Sequence, residues 1–229
     1  MKWPFSKDTT PASSSQSSAP SAVVKLDLGC GKLKKAGFFG IDRRKFEGVD
    51  GVTDLTLKTW IFEQPQLGQL KLVPVKIDRS TKFLLPDCSV TEVHCSHFLE
   101  HLEHNQHRPE RVRFMNELWR VLIPGGIANI ITPHWASHRA YGDFTHADKP
   151  VAESFYPYLN RQWREANAPD NDLQFNPDGY NCDFDFEFGY GMHAEFETRS
   201  NQEKDFALKW YKDAVVELHA RITAKKQLD

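Results

Sequence analysis

Asp27, Gly29, Cys30, Gly31 and Asp42 fall within one short run, VVKLDLGCGKLKKAGFFGID, residues 23–42. Glycines at 29 and 31 permit a tight turn and bring the backbone close to a ligand. Asp42 ends a second short apolar segment, where a carboxylate accepts the hydroxyl hydrogens of a ribose. Together these residue types suit a nucleoside-bearing cofactor.

A second group lies in ITPHWASHRAYGDFTHADKP, the stretch ending at Pro150. It gathers His134, Trp135, His138, Arg139, Tyr141, Asp143 and His146 after an apolar strand, the place where a substrate pocket is built on an open sheet. His134 and His146 are the candidate general bases, since an imidazole is mostly neutral near pH 7, and Asp143 is the candidate orienter of His146. Trp135, Arg139 and Tyr141 are the candidate substrate contacts, the aromatic rings by stacking or by covering a cation.

The elements that must hold these groups follow from the apolar runs. A first strand ends at Asp27, a second runs from Phe38 to Ile41, and a third, Gly51 to Thr53, ends at Asp54. Residues 55–82, rich in turn formers around one strand-like run at Leu72–Ile77, read as an insertion. After the Pro86-Asp87 turn, Val90–Cys95 reads as the central strand, with Ser96 and His97 at its carboxyl end, where ligands bind in such sheets. Arg111–Leu122 has helical apolar spacing, Pro124-Gly125-Gly126 stops it, and Ile127–Ile131 is a fifth strand. Phe184, Phe186, Phe188 and Tyr190 alternate with acids as a half-exposed antiparallel strand would, and Gln202–Lys226 reads as a closing helix packed on the core. Only Gly31–Gly37 separates the first two strands, too little for a crossover helix, so a loop is expected there.

The spacing narrows the cofactor. A dinucleotide fingerprint wants a small residue where Lys34 stands and a ribose acid about 20 residues beyond the glycines, and no GKS or GKT follows the turn. NAD and ATP are both disfavoured. LDLGCG, GID, LPDCSVTEVHCSHFLEHLEH and ELWRVLIPGGIANIITP, in that order, resemble the successive motifs of class I S-adenosylmethionine-dependent methyltransferases of the type 11 kind, over roughly residues 23–133. The resemblance implies S-adenosyl-L-methionine as cofactor, with Asp27, Gly29, Cys30, Gly31 and Asp42 around it and Ser96 and His97 on its methionine side. It also implies an acid or its neighbouring backbone at the adenine, for which the GVTDL context favours Asp54 over Asp78. The implied fold is a doubly wound, Rossmann-like α/β domain, mostly parallel, with flanking helices and an antiparallel edge strand.

His97, His101 and His104 recur at intervals that would align them on one helical face, with Glu100 or Glu103 to complete a metal site. SHFLEHL commonly reads so in the family without metal, and no metal is expected.

Residues 1–22, rich in Ser, Pro and Ala, read as a disordered leader before a single domain over 23–229, with residues 134–200 as its substrate-side and C-terminal elaboration. Lys and Arg total 29 against 31 acids, so the net charge of −2 provides no general attraction to nucleic acid or an anionic membrane. The basic residues Lys32, Lys34, Lys35, Arg43, Arg44 and Lys45 cluster near the glycine turn as a solvated rim. Four cysteines without a CxxC pair, and no signal-peptide core or membrane-length apolar run, suggest the cytoplasm. The acceptor expected is a small molecule, a sugar or a nucleotide. Nucleobase methylation is disfavoured, because SHFL follows the fourth strand in place of an amino-methyltransferase motif and Cys95 follows His94 and not proline. Two rivals stay open: a catalytically degenerate scaffold of the same fold and, less favoured, a nicotinamide-dependent oxidoreductase.

Overall fold

The computed structural model describes residues 23–105, 107–170 and 179–226. The leader assigned to residues 1–22 lies outside the described residues, as does the stretch 171–178 of the elaboration.

Three short parallel strands open the chain: β1 (Lys25–Leu28), β2 (Phe39–Asp42) and β3 (Gly51–Val52). The β1–β2 connection is a loop, as its length requires. Five further short strands fill the insertion: β4 (Ile61–Phe62), β5 (Gln66–Leu67), β6 (Leu70–Lys71), β7 (Val73–Ile77) and β8 (Ser80–Leu84). They form two small antiparallel sheets of their own. Trp60, Phe62, Leu67, Leu72 and Leu85 are buried in the common core, so the insertion is built into the domain.

The central strand β9 (Val90–Ser96) leads to a single 3-10 turn at Leu99–His101, then to helix α1 (Glu110–Val121) and strand β10 (Leu122–Pro133). Val112, Met115 and Leu118 are buried on α1, as their spacing predicts. The helix ends at Val121, before the Pro-Gly-Gly, which lies inside β10 at a register shift between Leu122 and Ile127. Gly125 there has φ +75°, a conformation that favours glycine.

The remaining chain supplies α2 (Arg161–Asn167), β11 (Phe184–Met192), α3 (Ala194–Glu197), α4 (Asn201–Trp210) and β12 (Val215–Ala224). The closing helix expected over Gln202–Lys226 is therefore corrected: it stops at Trp210 and a strand follows. From Leu218 the buried residues Leu218, Ala220, Ile222 and Ala224 alternate with period two, and Val215, Val216 and Thr223 are β-branched, both of which suit a strand better than a helix. Core packing by α4 is corrected as well, since among its residues only Ala207 is buried while Phe206 and Trp210 are exposed.

The main sheet has the order β11-β12-β10-β9-β1-β2-β3. Its left half in this listing is closed by β12, antiparallel to both β10 and β11, and β11 is the edge strand pairing antiparallel with its neighbour. One face, from Leu26, Leu28 and Ile41 through Val93, Cys95, Ala128 and Ile130 to Leu218, Ala220 and Ile222, is fully buried. The other is polar, with Lys25, Glu92, His94, Asn129, His219 and Arg221 half-buried or exposed. The alternation places the core on one side and leaves the strand ends to carry function.

Candidate functional site

The glycine turn is locked to the end of β2. Gly29 N–H donates to Ile41 O at 2.8 Å, and Gly31 N–H donates to Asp42 Oδ2 at 3.0 Å. Asp42 Oδ1 accepts Arg44 N–H at 2.9 Å. Each carboxylate oxygen retains a further lone pair for a ligand hydroxyl. Gly29 and Gly31 have φ of +68° and +53°. A Cβ at Gly29 would lie 2.5 Å from the Phe98 ring, whereas one at Gly31 would meet nothing within 4 Å. The turn is thus packed behind, against Phe98, and open in front.

Asp27 is buried and accepts Lys35 N–H at 2.7 Å through Oδ2; burial nevertheless raises its pKa. Cys30, whose thiol burial pushes up to about 11, is not a nucleophile near neutral pH. Asp54 caps the turn after β3, accepting from Thr56 N–H at 2.9 Å and Thr56 Oγ1 at 2.7 Å. Asp78 sits at the tip of the β7–β8 hairpin with φ +45°, in a different sheet from the glycine turn. Within the basic rim, Lys34 pairs with Asp50 at 2.9 Å and Lys35 lies over Phe38.

Ser96 ends β9 beside Ile131, and His97 follows with φ +53°. His97 Nδ1 is 3.2 Å from Glu100 Oε1 and its Nε2 is 3.2 Å from Glu217 Oε1. The hydrogen bond to Glu100 raises the His97 pKa against the opposing effect of burial. Glu217 also accepts from His219 at 3.0 Å and lies 3.5 Å from Arg139, so it joins three basic side chains. Burial works against its ionisation, but the bonds and charge of His219 and His97 hold its carboxyl below the usual range. Sequence reasoning missed Glu217 because its segment read as a helix.

The two candidate bases are held apart by different partners. His134 is buried; its Nε2 lies 3.1 Å from Glu153 Oε1 and its Nδ1 accepts Ala136 N–H at 3.3 Å, which commits both nitrogens. Trp135 Nε1 donates to the other Glu153 oxygen at 3.0 Å, so His134 and Trp135 share one carboxylate. His146 instead packs edge-on against His101, ring centroids 4.8 Å apart, and its Nδ1 donates to Ala140 O at 3.1 Å. Asp143 Oδ2 is 4.0 Å from His146 Nε2, while its Oδ1 is taken by Thr145 N–H and Oγ1. Tyr141 is exposed on the same loop. His97, His101 and His104 share no helical face: His97 follows the last residue of β9, His101 ends a 3-10 turn, and His104 bridges to Pro109.

Against known proteins, the family described as a methyltransferase domain matches residues 26–130. No curated protein sequence matches the chain. Among solved structures, the chain resembles an S-adenosylmethionine-dependent methyltransferase from Archaeoglobus fulgidus, with 19% identity, 90% of this chain and 87% of that one covered, and a TM-score of 0.50. It is also similar to an S-adenosylmethionine-dependent methyltransferase from Methanosarcina mazei, with 12% identity, 91% and 95% coverage and a TM-score of 0.45. A third is phosphoethanolamine N-methyltransferase 2 of Haemonchus contortus in complex with S-adenosyl-L-methionine, at 14% identity, 91% and 50% coverage and a TM-score of 0.38.

Proposed function

We propose that this chain is a class I S-adenosylmethionine-dependent methyltransferase with S-adenosyl-L-methionine as its cofactor, a reading that the methyltransferase-domain match over residues 26–130 supports, and that it is an active enzyme methylating a small-molecule, sugar or nucleotide acceptor. The observation that carries this reading is the bond from Gly31 N–H to Asp42 Oδ2, which joins the open glycine turn to the ribose acid. Asp42 holds the ribose hydroxyls, and the turn Gly29-Cys30-Gly31 with Asp27 behind it cradles the rest of the nucleoside. Asp54 serves the adenine side, and Ser96 and His97 the methionine side.

When bound, the cofactor supplies an electrophilic methyl group on a sulfonium. Methyl transfer is an in-line displacement, so the chief task of the protein is to hold donor and acceptor in line. Trp135, Arg139 and Tyr141 border the acceptor side, with Arg139 steadied by Glu217. His134, with both nitrogens engaged, positions Glu153 and Trp135. On the loop side, Nδ1 of His146 is tied to a carbonyl, which leaves Nε2 to receive an acceptor proton.

Calorimetric titration with S-adenosylmethionine, S-adenosylhomocysteine and NAD in parallel tests the reading. Binding of both sulfur nucleosides without NAD is expected, followed by an acceptor screen for S-adenosylhomocysteine release. Binding of NAD alone, or of none of the three, overturns it.

A further inference from the structure

We propose that Glu100, His101 and His146 form a binding site for a divalent first-row transition-metal ion of the Zn²⁺ type. One ligand atom from each of these three side chains lies within 4.8 Å of the other two. That distance is somewhat wider than a filled site shows, and a cation with bonds of about 2.0–2.2 Å would draw the atoms inward.

The second observation is the state of Glu100. It is 3% exposed, and its Oε2 has no hydrogen-bond partner among the described residues. A buried carboxylate oxygen left unpaired costs more than a made hydrogen bond returns, so such an atom marks a missing ligand. Its other oxygen is engaged by His97 Nδ1 at 3.2 Å, which fixes the carboxylate plane.

The two histidines are set up in the way metal ligands are. His101 Nδ1 lies 3.2 Å from Thr145 O, and His146 Nδ1 lies 3.1 Å from Ala140 O. A carbonyl only accepts, so each Nδ1 carries its hydrogen and each Nε2 presents a lone pair. An outer carbonyl that fixes tautomer and ring orientation is the usual second shell of a histidine ligand. Ala147 N–H donates to Glu100 O at 2.8 Å, tying the loop that bears His146 to the turn that bears Glu100 and His101. Asp143 Oδ2, exposed and 4.0 Å from His146 Nε2, stands at the rim.

Two imidazoles and one carboxylate favour zinc, iron, cobalt or nickel over magnesium or calcium, which prefer all-oxygen shells. Three protein ligands leave coordination positions open. The role of the ion rests on the methyltransferase reading: the site is one hydrogen bond from His97, so an acceptor hydroxyl held on the ion would meet the methionine side already more acidic than in water. His146 would then act as a ligand, and the proton of the ion-held hydroxyl would pass to bulk water as its oxygen takes the methyl group from sulfur.

The test uses the whole chain stripped with a chelator, titrated with Zn²⁺ by calorimetry and with Co²⁺ by absorption. One saturable equivalent is expected. Glu100→Gln, His101→Ala and His146→Ala should each weaken binding by at least the roughly 10-fold seen when a mere second-shell partner is lost. His138→Ala, an exposed histidine paired with Asp213, should leave it unchanged. S-adenosylhomocysteine is titrated against each protein: its retained binding with no cation binding overturns the metal site alone, and its loss with cation binding intact overturns only the methyltransferase reading. Should the variants not fold, zinc X-ray absorption on the wild-type chain decides. A first shell with two imidazoles supports the site, and one with none overturns it.

Discussion

Gly29 and Gly31 stand two residues apart, share a left-handed backbone, and should fail in opposite ways when each is replaced by alanine. At both positions a Cβ in that conformation costs about 1–2 kcal/mol. At Gly29 the new atom would also sit 2.5 Å from Phe98 Cδ2, 2.6 Å from Cγ and 2.8 Å from Cβ. That ring is packed against Phe114, centroids 5.6 Å apart, and cannot swing away freely. Overpacking of this kind adds about 1–3 kcal/mol. Gly29→Ala should therefore lose about 2–5 kcal/mol and Gly31→Ala about 1–2 kcal/mol, both read from urea unfolding.

Affinity should separate them the other way. The Gly31 Cβ would project into the open front of the cradle, so at matched occupancy of the folded state Gly31→Ala should weaken S-adenosylhomocysteine more than Gly29→Ala does. The clash itself is isolated by a double-mutant cycle with Phe98→Ala, which removes the two ring atoms nearest the new Cβ. In that background the cost of Gly29→Ala should fall toward that of Gly31→Ala, a coupling of about 1–2 kcal/mol. Equal costs for the two glycines, with no coupling to Phe98, would refute the packed-behind, open-in-front geometry of the turn.

Asp42→Ala should weaken S-adenosylhomocysteine roughly 10- to 100-fold, since a hydrogen bond to a charged group contributes about 1.5–3 kcal/mol; unchanged calorimetric binding would remove Asp42 from the ribose. Burial, reinforced by Arg111 and Lys149, lowers the pKa of His104 to about 4. The unfolded chain therefore takes up that proton first, and the contribution of His104 to stability is complete above its ordinary value of 6.5 and is lost as pH falls toward 4. His104→Phe should make urea midpoints at pH 7 and pH 5 more nearly equal than in the wild type, and an unaltered difference would show that another group titrates. Glu117, buried on α1, accepts Trp60 N–H at 3.0 Å and pairs with Arg120 at 2.7 Å, so it fastens the insertion to the helix. Glu117→Ala should cost about 3–5 kcal/mol and expose residues 55–84 to limited proteolysis, and a variant as protease-resistant as wild type would mean that the apolar contacts of Trp60 and Phe62 suffice.

What could be read from the sequence was local. The glycine turn, the acid at the end of β2, α1 and the five parallel strands each announce themselves within a window of about ten residues, through period, turn chemistry or apolar run. The partners of the histidines do not. His134 and His146 look alike in the sequence, and only folding brings Glu153 to the first and His101 to the second. Helical spacing among His97, His101 and His104 was a true count of residues applied to a segment that is not a helix. His104, set apart by that break, ends as a half-buried ring edge-on to Phe155.

The misread C-terminal segment concealed more than a strand. In an open parallel sheet the functional edge is sought at the carboxyl ends of the strands, which leads to Asp27, Asp42, Ser96 and the loop after β10. An antiparallel strand reaches that edge with its beginning. Here Glu217, near the start of β12, stands opposite Pro133, the last residue of β10, and so lies with the strand ends that bear the site. Its carboxylate gathers His97, Arg139 and His219, three side chains from three separate segments. In this topology the first residues of the one reversed strand are as informative as the last residues of the parallel ones. The acid found there ties His97, proposed for the methionine side of the cofactor site, to Arg139, proposed for the acceptor side.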